Sequence, residues 1–261
     1  MLNHVPWSRF LLLCGALVPA ILVLLWPRIS AISGPLAPVL TRVLALEPYP
    51  KTYSIRIMSY DPLIIYVVGF ISWAERTHLL QLGESLYERS AVYDQDEERS
   101  VLDEERTSST AWLPDEDPIV QRIIRRASAI QGYTPLEKHE ELQLTRYVTG
   151  QFFNPHLDPI LFTNDTYIHR LTTMFAYLES TCEKCGTQFP NLAINWTMED
   201  PDWCNYVDCA NQTAVTVKAI PGNALFWKNW DNDGQLDDRT THAGLPPEGG
   251  RKTGLNIWTH G

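Results

Sequence analysis

The chain has 261 residues, enough for one sizeable domain and a short extension at about 100–200 residues per domain. Hydrophobic residues make up 44% of it, with nine Trp and eleven Tyr, a globular composition that excludes a disordered chain. A formal net charge of −10 excludes a general nucleic-acid binder, which needs a basic footprint.

The first element is an uncharged apolar run at residues 10–26 (FLLLCGALVPAILVLLW), bounded by Arg9 and Arg28. Its 17 residues reach the lower limit for a bilayer-spanning helix. They exceed the ~7–15-residue apolar core of a cleaved signal peptide. Residues 1–30 therefore read as an uncleaved signal anchor, and the proline-rich stretch 31–53 as a stalk. The flanking arginines do not fix orientation, because Arg9 is matched by Arg28 and Arg42.

From residue 54 the pattern is that of a folded domain, 54–261. Ile55, Ile57, Leu63, Ile64, Ile65, Val67 and Val68 predict two early strands. Ser72 and Glu75 form a capping box that opens a helix carrying Leu79, Leu80, Leu82 and Leu86 on its apolar side. Residues 93–106 hold most of the acidic excess and read as a solvated loop. A second helix starts at Asp117-Pro118, presents Ile119, Val120, Ile123, Ile124, Ala127 and Ile130, and stops near Gly132. Beyond Leu142 the helical period vanishes. Short apolar runs at 142–148, 174–179, 213–220, 224–230 and 254–258 suggest a β-sandwich or barrel on which the two helices pack.

Four cysteines, Cys182, Cys185, Cys204 and Cys209, lie close together downstream of the apolar segment, and Cys14 lies within it. Cys182-x2-Cys185 resembles half a zinc ribbon, which would make a zinc-binding redox module, but Cys204-x4-Cys209 has the wrong spacing for the other half. Two disulfides are expected, with three pairings open. Sequons at Asn164, Asn195 and Asn211 agree with a luminal, glycosylated domain. A single-pass type II protein of the endoplasmic reticulum or Golgi membrane follows as the expectation.

His156-Leu-Asp158 sets an imidazole and a carboxylate two residues apart, on one face of a strand. With 31 acidic residues among 261 and seven histidines, about 0.8 such pairs arise by chance, so the pair means little alone. His242, with Lys252 ten residues on, raises its weight. Two His and one carboxylate make a facial triad with open positions for Fe(II) chemistry. Two of those positions suit the 2-oxo acid end of 2-oxoglutarate and one suits O2. Lys252 would meet the far carboxylate.

With these residues in place the chain resembles the prolyl 4-hydroxylases, in particular the single-chain plant and algal type, over residues 54–261. Tyr147 and Gly150 stand nine and six residues before His156, and Arg170, Thr173, Tyr177 and Leu178 match the next stretch. The family's GGET-x-x-P turn is KCGTQFP at 184–190, followed by Pro221-Gly222 and the strand ending in Trp227. His242 with Gly244 and Pro246, Lys252 and Trp258 complete the pattern, and Arg106-Thr-Ser108 matches an upstream R-T-S segment.

The resemblance implies an α+β, mainly β fold with a double-stranded β-helix (jelly-roll) core and supporting N-terminal helices, here preceded by one transmembrane helix. It implies iron on His156, Asp158 and His242, and the C5 carboxylate of 2-oxoglutarate on Lys252, Tyr147 and Thr187. Arg170, Arg106 and Ser108 would face a proline-containing peptide or protein, with L-ascorbate as an accessory reductant. No obligate partner chain is expected. Departures fall at Cys185 and Gly186 in the GGET turn, at Phe153 where the family has tyrosine, and at Thr253 after the lysine. They bear on substrate rather than on reaction. The alternatives are the same chemistry on another residue or a small metabolite, and an inactive luminal binding module.

Overall fold

The structure, a computed structural model, describes residues 53–261 except 95–98, 103, 159 and 164–165. The expected anchor and stalk up to residue 52, and the sequon at Asn164, lie outside the described residues. Among the described residues no helix is long and apolar enough to cross a membrane.

Both early strands form. β1 (Ser54–Tyr60) and β2 (Leu63–Val68) make an antiparallel hairpin. Helix α1 (Trp73–Gly83) opens on the complete capping box of Ser72 and Glu75. It ends at Gly83, which packs against the Leu144 side chain with no room for a Cβ, so Leu86 lies outside the helix and is exposed rather than part of its apolar side. Glu75 does more than cap: both its oxygens accept from Arg126 of helix α2 (Pro118–Ile130), at 2.7 and 3.2 Å, in a buried pair. The α2 start is as expected, with the Asp117 carboxylate accepting from the Ile119 and Val120 amides.

The solvated-loop reading of 93–106 needs correction at both ends. Short strands β3 (Glu88–Arg89), β4 (Val92–Asp94) and β5 (Arg99–Val101) precede β6 (Ser109–Trp112), β4 and β5 pair, and Arg106 packs into the domain. The later strands are β7 (Gln143–Val148), β8 (Phe153–His156), β9 (Ile160–Thr163), β10 (Thr166–Ser180), β11 (Thr187–Phe189), β12 (Val215–Val217), β13 (Ala224–Lys228), β14 (His242–Gly244) and β15 (Arg251–His260).

They form two antiparallel sheets. The larger runs β1-β2-β13-β10-β15-β7-β6-β3, with β9 beside β10, and the smaller runs β12-β11-β14-β8. Period-two alternation sorts the large sheet's side chains. Met174, Ala176, Leu178, Ala224, Phe226, Leu255 and Ile257 pack with Ile119, Val120, Ile123 and Leu79 of the helices. Tyr177, Leu225 and Trp227 point the other way, into a second core with Phe189, Val215 and Val217 of the small sheet. The fold is mainly β, with both helices packed on one face of the large sheet and the small sheet on the other. The cysteines close two local turns, Cys182–Cys185 and Cys204–Cys209, so no bridge spans the 180–212 segment. Asn195 is exposed and Asn211 half-buried, and each side-chain oxygen accepts from the threonine of its own sequon.

Candidate active site

Strand pairing creates the site. β14 runs antiparallel to β8 with His242 directly opposite His156, and the imidazole centroids are 4.3 Å apart. Asp158 follows two residues after His156. Its oxygens lie 3.9 Å from His156 Nε2 and 3.6 Å from His242 Nε2, and one ligand atom from each of the three residues falls within 4.8 Å of the others. His156 Nδ1 bonds the Asn154 carbonyl at 2.8 Å and His242 Nδ1 bonds the Thr240 carbonyl at 3.0 Å. A carbonyl only accepts, so each Nδ1 carries the proton and each Nε2 presents its lone pair.

Protonation suits a cation. Burial, reinforced by the neighbouring His242, pushes His156 down to about 3, so it is neutral at ordinary pH. Burial alone would raise the Asp158 carboxyl. His242, His156 and Arg170 outweigh that and hold it below the usual carboxylate range. Two imidazoles, each with Nδ1 tied to a backbone carbonyl, and one carboxylate form the donor set that an Fe(II)-type dication takes.

The Asp158 Oδ2 is oriented from behind. Thr173 Oγ1 on β10 donates to it at 2.9 Å and Trp258 Nε1 on β15 at 3.1 Å. Asn229 Nδ2 donates to Thr173 Oγ1 in turn, at 3.1 Å. Sequence reasoning quoted Thr173 and Trp258 without assigning them roles and missed Asn229. Thr173 and Trp258 stand in the family pattern, whereas Asn229, just past the end of β13, carries no such signal.

Lys252, Tyr147 and Thr187 do come together. Lys252 on β15 sits opposite Tyr147 on β7, and its Nζ lies 4.6 Å from that ring's centroid. The amine donates to the Gly186 carbonyl at 2.9 Å and the Leu245 carbonyl at 3.0 Å. It is 1% exposed and has no carboxylate within 4 Å among the described residues. Burial alone pushes it down to about 7. Thr187 on β11 pairs with Gly244 on β14, and its buried hydroxyl accepts from the Tyr177 hydroxyl at 2.8 Å. Gly244 must be glycine here, because a Cβ would meet the Tyr147 hydroxyl at 2.9 Å. Burial raises Tyr147, which keeps its phenol protonated as a donor. A buried cation without an anionic partner among the described residues, over the Tyr147 ring and beside the turn that leads into Thr187, fits one end of a dicarboxylate.

The expected substrate-facing residues divide. Arg106 is stacked 4.7 Å over the Phe153 ring, which itself stacks on His156 at 3.5 Å. Its guanidinium donates to the Ala91 carbonyl, Gln143 and Ser108, and Ser108 is buried against Ser90. Arg170 is committed elsewhere: it donates from Nε and Nη2 to the two oxygens of Glu140, both at 2.8 Å, and lies 3.7 Å over the Trp258 ring. This clamp braces the indole that donates to Asp158.

The sequence profile of the family described as "2OG-Fe(II) oxygenase superfamily" matches residues 142–260. Prolyl 4-hydroxylase 2 of Arabidopsis thaliana is 32% identical over 211 residues, spanning 78% of this chain and 69% of the relative. Probable prolyl 4-hydroxylase 4 of the same plant is 31% identical over 209 residues, covering 78% and 69%. Among solved structures, a viral collagen prolyl hydroxylase from Paramecium bursaria Chlorella virus-1, in complex with 2OG, aligns with a TM-score of 0.51 at 22% identity. It covers 81% of this chain and 97% of that one, a likeness of fold.

Proposed function

Since the chain belongs to the prolyl 4-hydroxylase family of the 2OG-Fe(II) oxygenases, and is an enzyme of that type, we propose that it 4-hydroxylates peptidyl proline in secretory-pathway proteins. The family fixes Fe(II), 2-oxoglutarate and O2 as its reactants. The observation that carries the residue-level reading is the meeting of His156, Asp158 and His242 beside a buried Lys252 with no carboxylate partner among the described residues. His156, Asp158 and His242 hold the iron. Lys252, Tyr147 and Thr187 hold the C5 carboxylate of the co-substrate. The two-sheet arrangement is read as a double-stranded β-helix core.

When bound, the iron and 2-oxoglutarate supply the oxidising power, with 2-oxoglutarate decarboxylated to succinate. The protein's own contribution is placement. Thr173 and Trp258 fix the Asp158 carboxylate, and the two backbone carbonyls fix both imidazole tautomers. Phe153 and Arg106 line the side of His156 on which a peptide would lie, with Ser108 behind them. The apolar Phe153 ring and the surrounding Phe189 and Trp227 restrict water around the histidines.

The apolar run at residues 10–26 anchors the chain in the endoplasmic reticulum or Golgi membrane, with the domain luminal and L-ascorbate maintaining the iron. The two local disulfides and the exposed Asn195 support an oxidising compartment. The test is a library of proline-containing peptides assayed for hydroxyproline. Hydroxylation of some other residue, or of none while small metabolites turn over, would reject proline as the substrate.

A further inference from the structure

The Cys182–Cys185 bridge closes the turn whose flanking residues, Ser180 and Gly186, both meet Lys252, and the proposed reaction gives it no part. The turn it closes leaves β10 at Ser180, whose strand partner is Lys252, and returns through Gly186 to Thr187. Gly186 offers its carbonyl to Lys252 Nζ at 2.9 Å and to the Leu245 amide at 3.2 Å. It packs so closely on the Val217 carbonyl that there is no room for a Cβ. The five residues 181–185 are therefore the segment through which one sheet hands the chain to the other beside the lysine.

Two features bear on the covalent closure of this turn. Lys184, between the cysteines, holds φ at +52°, a left-handed conformation that a side-chain-bearing residue keeps only under constraint. Lys184 lies inside the loop that the bridge closes. The two sulfurs also differ in access: Cys185 is 2% exposed, whereas Cys182 is half-buried with exposed neighbours at Thr181 and Glu183. Ser180 Oγ lies 3.7 Å from the Cys182 sulfur and 3.6 Å from that of Cys185. An incoming thiolate has one sulfur to attack and one to expel.

We propose that Cys182–Cys185 is a thiol–disulfide exchange site for a dithiol reductant, and that its oxidation state sets the affinity of the adjoining pocket for 2-oxoglutarate. One thiolate of the dithiol attacks Cys182 Sγ, the Cys182–Cys185 bond breaks, and Cys185 leaves as a thiolate that takes a proton from solvent. The second thiol of the reductant then attacks the mixed disulfide and releases Cys182 as a thiol. Two electrons and two protons pass from the dithiol to the protein, and the dithiol ends as a disulfide. Opening frees Lys184 to leave the left-handed region, and the turn no longer fixes the Gly186 carbonyl and Thr187 against Lys252. Binding must then reorder that turn.

The proposal rests on Lys252 and Thr187 holding 2-oxoglutarate, and the experiment separates the two. The Kd of 2-oxoglutarate is measured by calorimetry on full-length Mn(II)-loaded protein, oxidised, reduced by a dithiol, and reoxidised with oxidised glutathione. Reduction should raise the Kd at least fivefold, reoxidation should restore it, and Cys182→Ser/Cys185→Ser should match the reduced form. Cys204→Ser/Cys209→Ser should keep the full response to reduction. Because the linkage is reciprocal, saturating 2-oxoglutarate should shift the wild-type cysteine pair at least fivefold toward the disulfide in a glutathione redox buffer. That readout requires no variant to fold. A Kd within twofold across redox states, or an equilibrium that ignores 2-oxoglutarate, overturns the proposal. Failure of the oxidised protein to bind 2-oxoglutarate at all overturns the reading of the pocket, and this proposal with it.

Discussion

Lys252→Met should stabilise the ligand-free protein and abolish its use of 2-oxoglutarate. The wild-type ammonium is 1% exposed, and burial takes it from its ordinary 10.5 to about 7. Between those values the unfolded chain binds a proton that the folded chain does not, so wild-type stability rises with pH across that window. The cost is fully present at pH 7 and below, at about 5 kcal/mol. Methionine removes it but leaves the Leu245 carbonyl without this donor, at about 2 kcal/mol, while Gly186 keeps the Leu245 amide. The net gain is about 3 kcal/mol at pH 7, roughly 6–12 °C in Tm, falling toward zero near pH 9. Removing the cation also leaves the C5 carboxylate without its partner, so the Kd of 2-oxoglutarate should weaken by roughly two to three orders of magnitude. In the wild type that Kd should weaken by about tenfold per pH unit above 7, because binding must draw in a proton. Denaturant melts from pH 6 to 9.5 with 2-oxoglutarate calorimetry check both. A Lys252→Met protein destabilised at pH 7, or a stability difference flat across that range, would refute the reasoning.

Three further outcomes follow from the contacts. Thr173→Val removes one donor to Asp158 Oδ2 and should weaken Mn(II) binding roughly 10–100-fold while leaving the fold intact, as read by metal titration. Gly244→Ala should raise the KM for 2-oxoglutarate more than that for peptide, because the new methyl meets the Tyr147 hydroxyl at 2.9 Å; equal changes in both would argue against that pocket assignment. Glu75→Ala leaves the Arg126 side chain without its carboxylate and should cost about 3–5 kcal/mol at neutral pH. Burial opposes the charge on Glu75, but the bonds from Arg126 and Ser72 overcome it and depress its pKa. Wild-type stability from this group is therefore present above the ordinary carboxylate range and lost as pH falls through it, an acid sensitivity the variant should lack.

What could be read from the sequence was whatever rests on local order. The caps at Ser72 and Asp117 announced both helices, and the apolar runs announced the central strands. The short strands β3 to β6 escaped because they carry Glu, Arg, Ser and Asp; β3 and β6 take their order from the edge of the large sheet, and β4 and β5 from each other. Leu86 was misplaced because α1 ends at Gly83, pressed against the Leu144 side chain, so the apolar spacing ran on past the helix end. Glu75 read correctly as a cap, but its partner Arg126 lies 51 residues on. The iron site follows the same division. His156-Leu-Asp158 is close to chance as a pattern. It becomes a site because β14 delivers His242 opposite His156, a pairing across 86 residues. Arg170 has the residue type of a substrate anchor; in the fold its Nε and Nη2 both pair with Glu140, 30 residues earlier, which no local pattern encodes.

The measurement that bears most directly on the central claim is coupled turnover of the iron-loaded wild type and His156→Ala with a proline-containing peptide, 2-oxoglutarate and 18O-labelled O2. The account predicts one succinate and one 18O-labelled 4-hydroxyproline per turnover in the wild type, and neither in His156→Ala. Hydroxyproline formed at an undiminished rate by His156→Ala would contradict it, as would a wild type that makes neither succinate nor hydroxyproline on any proline peptide.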